Sequence, residues 1–327
     1  MRRLTLAFAC ALAGGPLAAA EPGPIAAGPL KAEGRVAFLE GPTWHSSGNV
    51  YFSDVENNRI MRRDPKGVMH VFRAPSGRAN GLIFDAQERL VMCEGAAEGG
   101  NRRVTRFEPD GTLSVLADRH EGNRFNSPND LDIDSKGRVY FTDPRYNDRA
   151  GMEMVDGAGR PIEGVYRIDP DGRVSRILAG EIERPNGIAV SPGDEWLYVV
   201  DNNNATPEGN RKIWRFGLTS TGDIVPGSRK QIYDFSPGRG ADGMAVDSEG
   251  RIYAAAGLNF ANLPAETDVV RSGIYVISPE GELLDTILVP EDMITNCAFG
   301  GPEMKTLYIT AGHHLWSVET TARGFRP

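Results

Sequence analysis

The stretch RPNGIAVSPGDEWLYVV, residues 184–200, contains the unit from which the fold is read: Asn186 heads a short apolar stretch, and Leu197-Tyr-Val opens a second, strand-like stretch 11 residues later. The same arrangement recurs along the chain. The heads are Glu40 (EGPTW), Asn80 (NGLIF), Asn129 (NDLDI), Asn186 (NGIAV), Asp242 (DGMAV) and Asn296 (NCAFG). Their followers are Val50-Tyr-Phe, Leu90-Val-Met, Val139-Tyr-Phe, Leu197-Tyr-Val, Ile252-Tyr-Ala and Leu307-Tyr-Ile, at offsets of 10, 10, 10, 11, 10 and 11 residues. Self-similarity this regular marks a repeat protein and puts six oxygen-bearing side chains at equivalent points.

Each unit has a third apolar stretch, such as Arg103-Val-Thr-Arg or Lys212-Ile-Trp-Arg-Phe, and a fourth just before the next head, such as Leu113-Ser-Val-Leu or Leu284-Asp-Thr-Ile. Four short strands per unit, repeating every roughly 40 to 60 residues between glycine and aspartate turns, predict an all-β fold, a six-bladed β-propeller with four-stranded blades. No segment offers a rival helical period. The sixth unit runs out of chain after Trp316-Ser-Val. Arg35-Val-Ala-Phe, just before Glu40, is therefore expected to supply its outer strand, closing the ring and removing open sheet edges. The expected organisation is a cleaved signal over residues 1–20, a linker over 21–34 and the propeller over 35–327.

The signal is read from Arg2-Arg3, the apolar run from Leu4 and the small residues Ala18-Ala19-Ala20, with Gly14-Gly15-Pro16 interrupting the run well short of a membrane span. The expectation is a periplasmic or secreted protein with no membrane segment once the signal is removed. A net charge of −8 and a pI near 5.3 argue against a nucleic-acid partner, which needs a basic face. Cys93 and Cys297 fall in units two and six, which are not neighbours in a ring of six, so free buried thiols are expected rather than a disulfide. Thiols and histidines are too few and too scattered for a structural zinc site.

Loop lengths orient the molecule. Connections between first and second strands are uniformly short (Ser46-Ser-Gly, Ser135-Lys-Gly, Ser248-Glu-Gly), whereas those between second and third strands vary, the longest running from Pro144 to Glu163. In an up-and-down blade the variable loops lie at the end where the innermost strand starts, so the heads open under the loops that usually carry function. The loop from Pro144 to Glu163, with Arg145, Tyr146, Met152 and Met154, reads equally as a lid or as a surface excursion.

Asn80-Gly81, Asn186-Gly187 and Asp242-Gly243 are also common tight-turn dipeptides. Against a turn-only reading, Glu40-Gly-Pro, Asn129-Asp130 and Asn296-Cys297 lose the turn chemistry yet keep a side-chain oxygen in place. Two carboxylates and four amides would balance a divalent cation, and an all-oxygen donor set favours a hard ion. Calcium, which takes amide and carboxylate oxygens in flexible geometry, is the first choice, with zinc or manganese also accommodated. None of His45, His70, His120, His313 and His314 is at a head position. An open coordination position would polarise a carbonyl and stabilise the oxyanion formed on attack by water, which points to ester or lactone hydrolysis. Asp242 is the candidate for proton transfer, with an ion-held water as the alternative base. There is no G-x-S-x-G elbow and no phosphate loop, and the 39 glycines read as turn glycines.

These motifs resemble the senescence marker protein, gluconolactonase and luciferin-regenerating enzyme family: EGPTW at Glu40, NRFNSPND ending at Asp130, TDPRY at Thr142, RPNGIAVSP around Asn186, ADGMAVDSEG around Asp242 and TNCAFGG around Asn296, spread over residues 36 to 320. The resemblance implies a six-bladed propeller holding a catalytic divalent metal, with Glu40, Asn186 and Asp242 as ligands and Asp242 also as acid/base. It also implies a substrate contact from the asparagine of the third head. The repeat register makes that Asn129; Arg124 and Asn126 lie in the approach loop, where they either touch substrate or only shape the loop, and Asn80 and Asn296 are open places in the ring that read as supporting groups behind the ligands, further contacts or turns. The leading expectation is a metal-dependent lactonase opening sugar lactones such as gluconolactone. Phosphotriester or aryl-ester hydrolysis at the same ion, and a non-enzymatic sugar- or protein-binding propeller, are the alternatives.

Overall fold

A computed structural model describes residues 25–326 apart from 147, 148, 150 and 262–265, so the expected export signal lies outside the described residues. Among the described residues there is no helix, only strands: six four-stranded antiparallel sheets and one small hairpin. The innermost strands of blades 1 to 6 are Leu39–Trp44, Ala79–Phe84, Leu131–Ile133, Pro185–Val190, Ala241–Val246 and Ile294–Gly300. The hairpin, Arg119–His120 with Asn123–Arg124, sits between blades 2 and 3.

Second strands such as Val50–Asp54, Leu90–Glu94 and Val139–Asp143 are buried at every position. The reason is the two-residue period of a strand between two neighbours: successive side chains enter opposite seams. Tyr51 packs with Leu82 and Phe84 of blade 2, whereas Val50 and Phe52 pack with Leu315 of blade 6. Tyr140 faces Ile188 and Leu197 of blade 4, and Phe141 faces Val91 and Cys93 of blade 2. The hydrophobic core is therefore six clusters, one per seam, and no blade carries a core of its own. Cys93 and Cys297 are buried free thiols, as expected.

The short turns have a repeated device. Asp85, Asp134 and Asp247 each accept two backbone N–H groups of their own turn at 2.9–3.0 Å and pair with the arginine four residues on, Arg89, Arg138 and Arg251. One carboxylate thus satisfies the turn backbone and a cation together.

Ring closure occurs as expected, but with an earlier strand. Lys31–Arg35, not Arg35–Phe38, pairs with His314–Glu319, with a bulge between Ala32 and Gly34. The strand therefore begins inside the segment expected to be a linker, and Ala26 is already bridged to Thr320. Residues 36–38 are needed to cross from the rim to the axis, where Leu39 starts the innermost strand of blade 1. A cavity between the innermost strands is lined from Asp130 and Asn296 to Phe325 and Arg326.

Deleting residues 25–35 leaves His314–Glu319 as an open edge. The expected result is a melting temperature lower by roughly 5 to 10 °C and concentration-dependent association, read by thermal unfolding and light scattering.

Candidate functional site

All six heads occupy one structural position, four residues before the end of the innermost ladder, and at each one the ladder carries an extra residue. The register skips between Glu40 and Thr43, Ala79 and Leu82, Pro185 and Ile188, Ala241 and Met244, and Ile294 and Asn296. In blade 3 Asn129 and Asp130 both oppose Thr142, whose carbonyl accepts the Asn129 N–H at 2.9 Å while its N–H donates to the Asp130 carbonyl at 3.0 Å. These are β-bulges, which re-aim a side chain out of strict alternation. The Asn-Gly and Asp-Gly pairs are therefore not hairpin turns. Their glycines allow innermost strands to approach: a methyl at Gly187 would lie 2.5 Å from the Asp242 carbonyl, and one at Gly243 would overlap the Asn296 carboxamide. The expectation that such glycines serve turns is corrected here, since Gly81, Gly187 and Gly243 have no positive φ.

Hydroxyls of adjacent blades hold the bulges in place. Ser53 donates to the Asn80 carbonyl, Thr142 to that of Asn186 and Thr295 to that of Leu39, each at 2.7 Å. Within this frame the structure brings Asn186 and Asp242 together, with Asn186 Nδ2 donating to Asp242 Oδ1 and, at 2.6 Å, to the Tyr146 hydroxyl. Both amide hydrogens are thereby committed, and Asn186 Oδ1 has no hydrogen-bond partner among the described residues. Glu40 accepts only its neighbour's Gly41 N–H, at 3.2 Å through Oε2.

The electrostatics are those of an under-compensated site. Burial pushes the Glu40 carboxyl well above the usual carboxylate range, and the charges of Asp242 and Asp130 push it the same way. Asp242 is raised to about 6 by burial, against Arg239, whose guanidinium is 3.9 Å from Oδ2, and against the Asn186 hydrogen bond. Asp130 is raised to about 7 by burial despite its bonds from the Leu131 N–H and Asn296 Nδ2. Carboxylate and amide oxygens that are buried and short of hydrogen-bond donors are of the type that suits a hard divalent cation.

The remaining expected site residues divide. Asn129 is buried beside the ring, and its side chain makes no hydrogen bond among the described residues; Asn80 likewise has none. Asn296 is tied at 3.3 Å to Asp130. Arg124 is exposed on the hairpin and donates to the Asn101 carbonyl at 3.1 Å. Of the two readings of Asn126, the contacts are those of a loop-shaping residue: it is fully buried, with Nδ2 shared between the carbonyls of Asp143 at 3.1 Å and Ile162 at 2.9 Å. Its amide pins the base of the long blade 3 loop, because a buried backbone carbonyl there needs a donor.

Three groups escaped sequence reasoning. Asp130 follows a head at the position where four other blades have glycine, which was the available signal. Arg239 is bound to Glu266 at 3.2 Å and faces Asp242. Tyr146 lies on the long loop and reaches Asn186, which only the fold reveals. That loop is no loose excursion, since Met154 is fully buried in the seam between blades 2 and 3.

A family model described as the SMP-30/Gluconolactonase/LRE-like region matches residues 38–313. The chain is 33% identical over 310 residues to a gluconolactonase of Zymomonas mobilis, covering 88% of this chain and 80% of that one. It is 28% identical over 297 residues to a 6-deoxy-6-sulfogluconolactonase of Pseudomonas putida, 86% of each chain. Among solved structures, a gluconolactonase from Xanthomonas campestris superposes with a TM-score of 0.74 at 28% identity, covering 94% of this chain and 98% of that one.

Because Asp242 has a raised pKa, its contribution to stability is present below the unfolded value near 4 and is lost as pH rises through about 6. In chelator-treated protein, Asp242→Asn is expected to melt roughly 2 to 5 °C above wild type at pH 8, with the difference vanishing towards pH 4, as read by differential scanning calorimetry.

Proposed function

The chain belongs to the SMP-30/gluconolactonase/LRE-like family, and from that premise we propose that it hydrolyses sugar lactones at a divalent-metal site formed by Glu40, Asn186 and Asp242. The observation that carries this reading is the committed Asn186 amide: both hydrogens are spent on Asp242 and Tyr146, so its oxygen is left as a donor beside two electrostatically strained carboxylates. Calcium fits that oxygen set best. When bound, such a cation supplies Lewis-acid polarisation of the lactone carbonyl.

The protein's own residues perform the rest. Asp242 Oδ1 is occupied by Asn186, so Oδ2, on the side of Arg239, is the oxygen available for proton transfer. A bound cation would favour the ionised form of Asp242, so its carboxylate is charged at neutral pH and able to take up a proton as water attacks. As water attacks, its oxygen bonds to the carbonyl carbon and its proton passes to Asp242 Oδ2. The acyl–oxygen bond of the ring then breaks, and that proton goes to the departing ring oxygen, giving the hydroxy acid. Asn129, buried beside the ring with its side chain unbonded, is suited to hold a substrate hydroxyl. Arg124 is the outer candidate for the same role.

Export remains part of the proposal: a mature N-terminus at Glu21, read by intact-mass measurement, is expected, and a chain retaining Met1 in its final compartment would contradict it. For the chemistry, acid release from glucono-1,5-lactone is expected to fall at least about 100-fold on chelation and to recover with added calcium, with Asp242→Ala losing about 100- to 10,000-fold even with metal present. Turnover that survives both chelation and Asp242→Ala would contradict the metal mechanism.

A further inference from the structure

Tyr146, among the described residues of the long blade 3 loop, reaches Asn186, and its surroundings hold it there. The preceding residue, Arg145, donates its backbone N–H to Glu163 at 3.0 Å, and the Glu163 side chain is almost fully buried at 1% exposure. Arg184, at the start of the blade 4 inner segment, lies over the tyrosine ring at 5.2 Å and 3.7 Å from the same Glu163. A cation over the ring face and an anchored neighbour fix the phenol before any ligand arrives.

The hydrogen-bond arithmetic then gives the phenol a direction of use. Asn186 Nδ2 has two hydrogens and two acceptors, Asp242 Oδ1 and the Tyr146 oxygen, so in this contact Tyr146 accepts. Its own hydrogen has no acceptor among the described residues. The residue is nonetheless 39% exposed, although burial is the main cause that raises its phenol pKa. An aromatic residue held only for packing would bury its ring and need no hydroxyl at 2.6 Å from a head residue.

We propose that Tyr146 is a further substrate-contacting residue, donating its phenol hydrogen to a lactone oxygen next to the carbonyl bound at Glu40, Asn186 and Asp242. The inference rests on the lactonase reading of that site. It gives the long loop a chemical role, in which one donor is presented to the substrate. No proton is transferred by the phenol, which remains a hydrogen-bond donor throughout.

The test compares wild type, Tyr146→Phe and Asp242→Ala in two measurements, steady-state hydrolysis of glucono-1,5-lactone and calorimetric titration with calcium. Tyr146→Phe removes one oxygen and keeps the ring, so the fold and the Arg184 contact are preserved. The expected result is a kcat/KM lower by about 10- to 100-fold with calcium affinity within about threefold of wild type. Wild-type kinetics in Tyr146→Phe, alongside an inactive Asp242→Ala, would overturn the proposal and leave the site reading standing. Loss of calcium affinity in Tyr146→Phe would also overturn it, since the phenol would then act only by holding Asn186. Full activity in both variants would overturn the site reading and this inference together.

Discussion

Burial of carboxylates near the propeller axis is the constraint on which the rest of the structure depends: desolvation raises Glu40, Asp130 and Asp242 alike, and at Glu40 the charges of Asp242 and Asp130 add to it. Charges brought together in low dielectric must be protonated, paired or shared by a cation. The protein offers Asp242 one distant guanidinium and one amide, and offers Glu40 a single backbone N–H. Such a site costs stability when empty of positive charge. A fold that retains it needs a large reserve elsewhere.

That reserve is the ring itself. Six seams, each filled from two blades, make every blade dependent on its neighbours, and the pairing of Lys31–Arg35 with His314–Glu319 ties the chain's beginning to its end. The bulges at the heads are sustained by the same closure, because Ser53, Thr142 and Thr295 each hold a carbonyl of the next blade. Backbone irregularity at the axis is thus stabilised by regular packing around it.

Much of this was legible in the residues. The spacing of heads and followers reveals six blades because strand burial has a period of two and the turns repeat, as in Asp134-Ser-Lys-Gly-Arg138 and Asp247-Ser-Glu-Gly-Arg251. The equivalence of Asn129 with the other heads also survives in three dimensions, as all six sit four residues before the end of the ladder. The bulges were not legible, since an extra residue leaves no compositional mark. Gly81, Gly187 and Gly243 consequently read as turn residues when their role is close approach. The closing strand was displaced because Arg35-Val-Ala-Phe is the more apolar segment, while the connection to Leu39 requires the pairing to begin at Lys31. Asn126 and Tyr146 illustrate the limit most clearly: both belong to loop segments, and only the fold shows that the first secures the backbone and the second reaches the ring.

The central claim is that the axial oxygens form a cation site and not simply a polar plug. Anomalous diffraction from a crystal grown with manganese, a heavier stand-in for calcium, tests it most directly. A single strong peak within coordination distance of Glu40, Asn186 Oδ1 and Asp242 is predicted, together with its absence in Glu40→Gln crystals. A ring without a peak in the wild-type protein, its carboxylates protonated and hydrogen-bonded to one another, would contradict it.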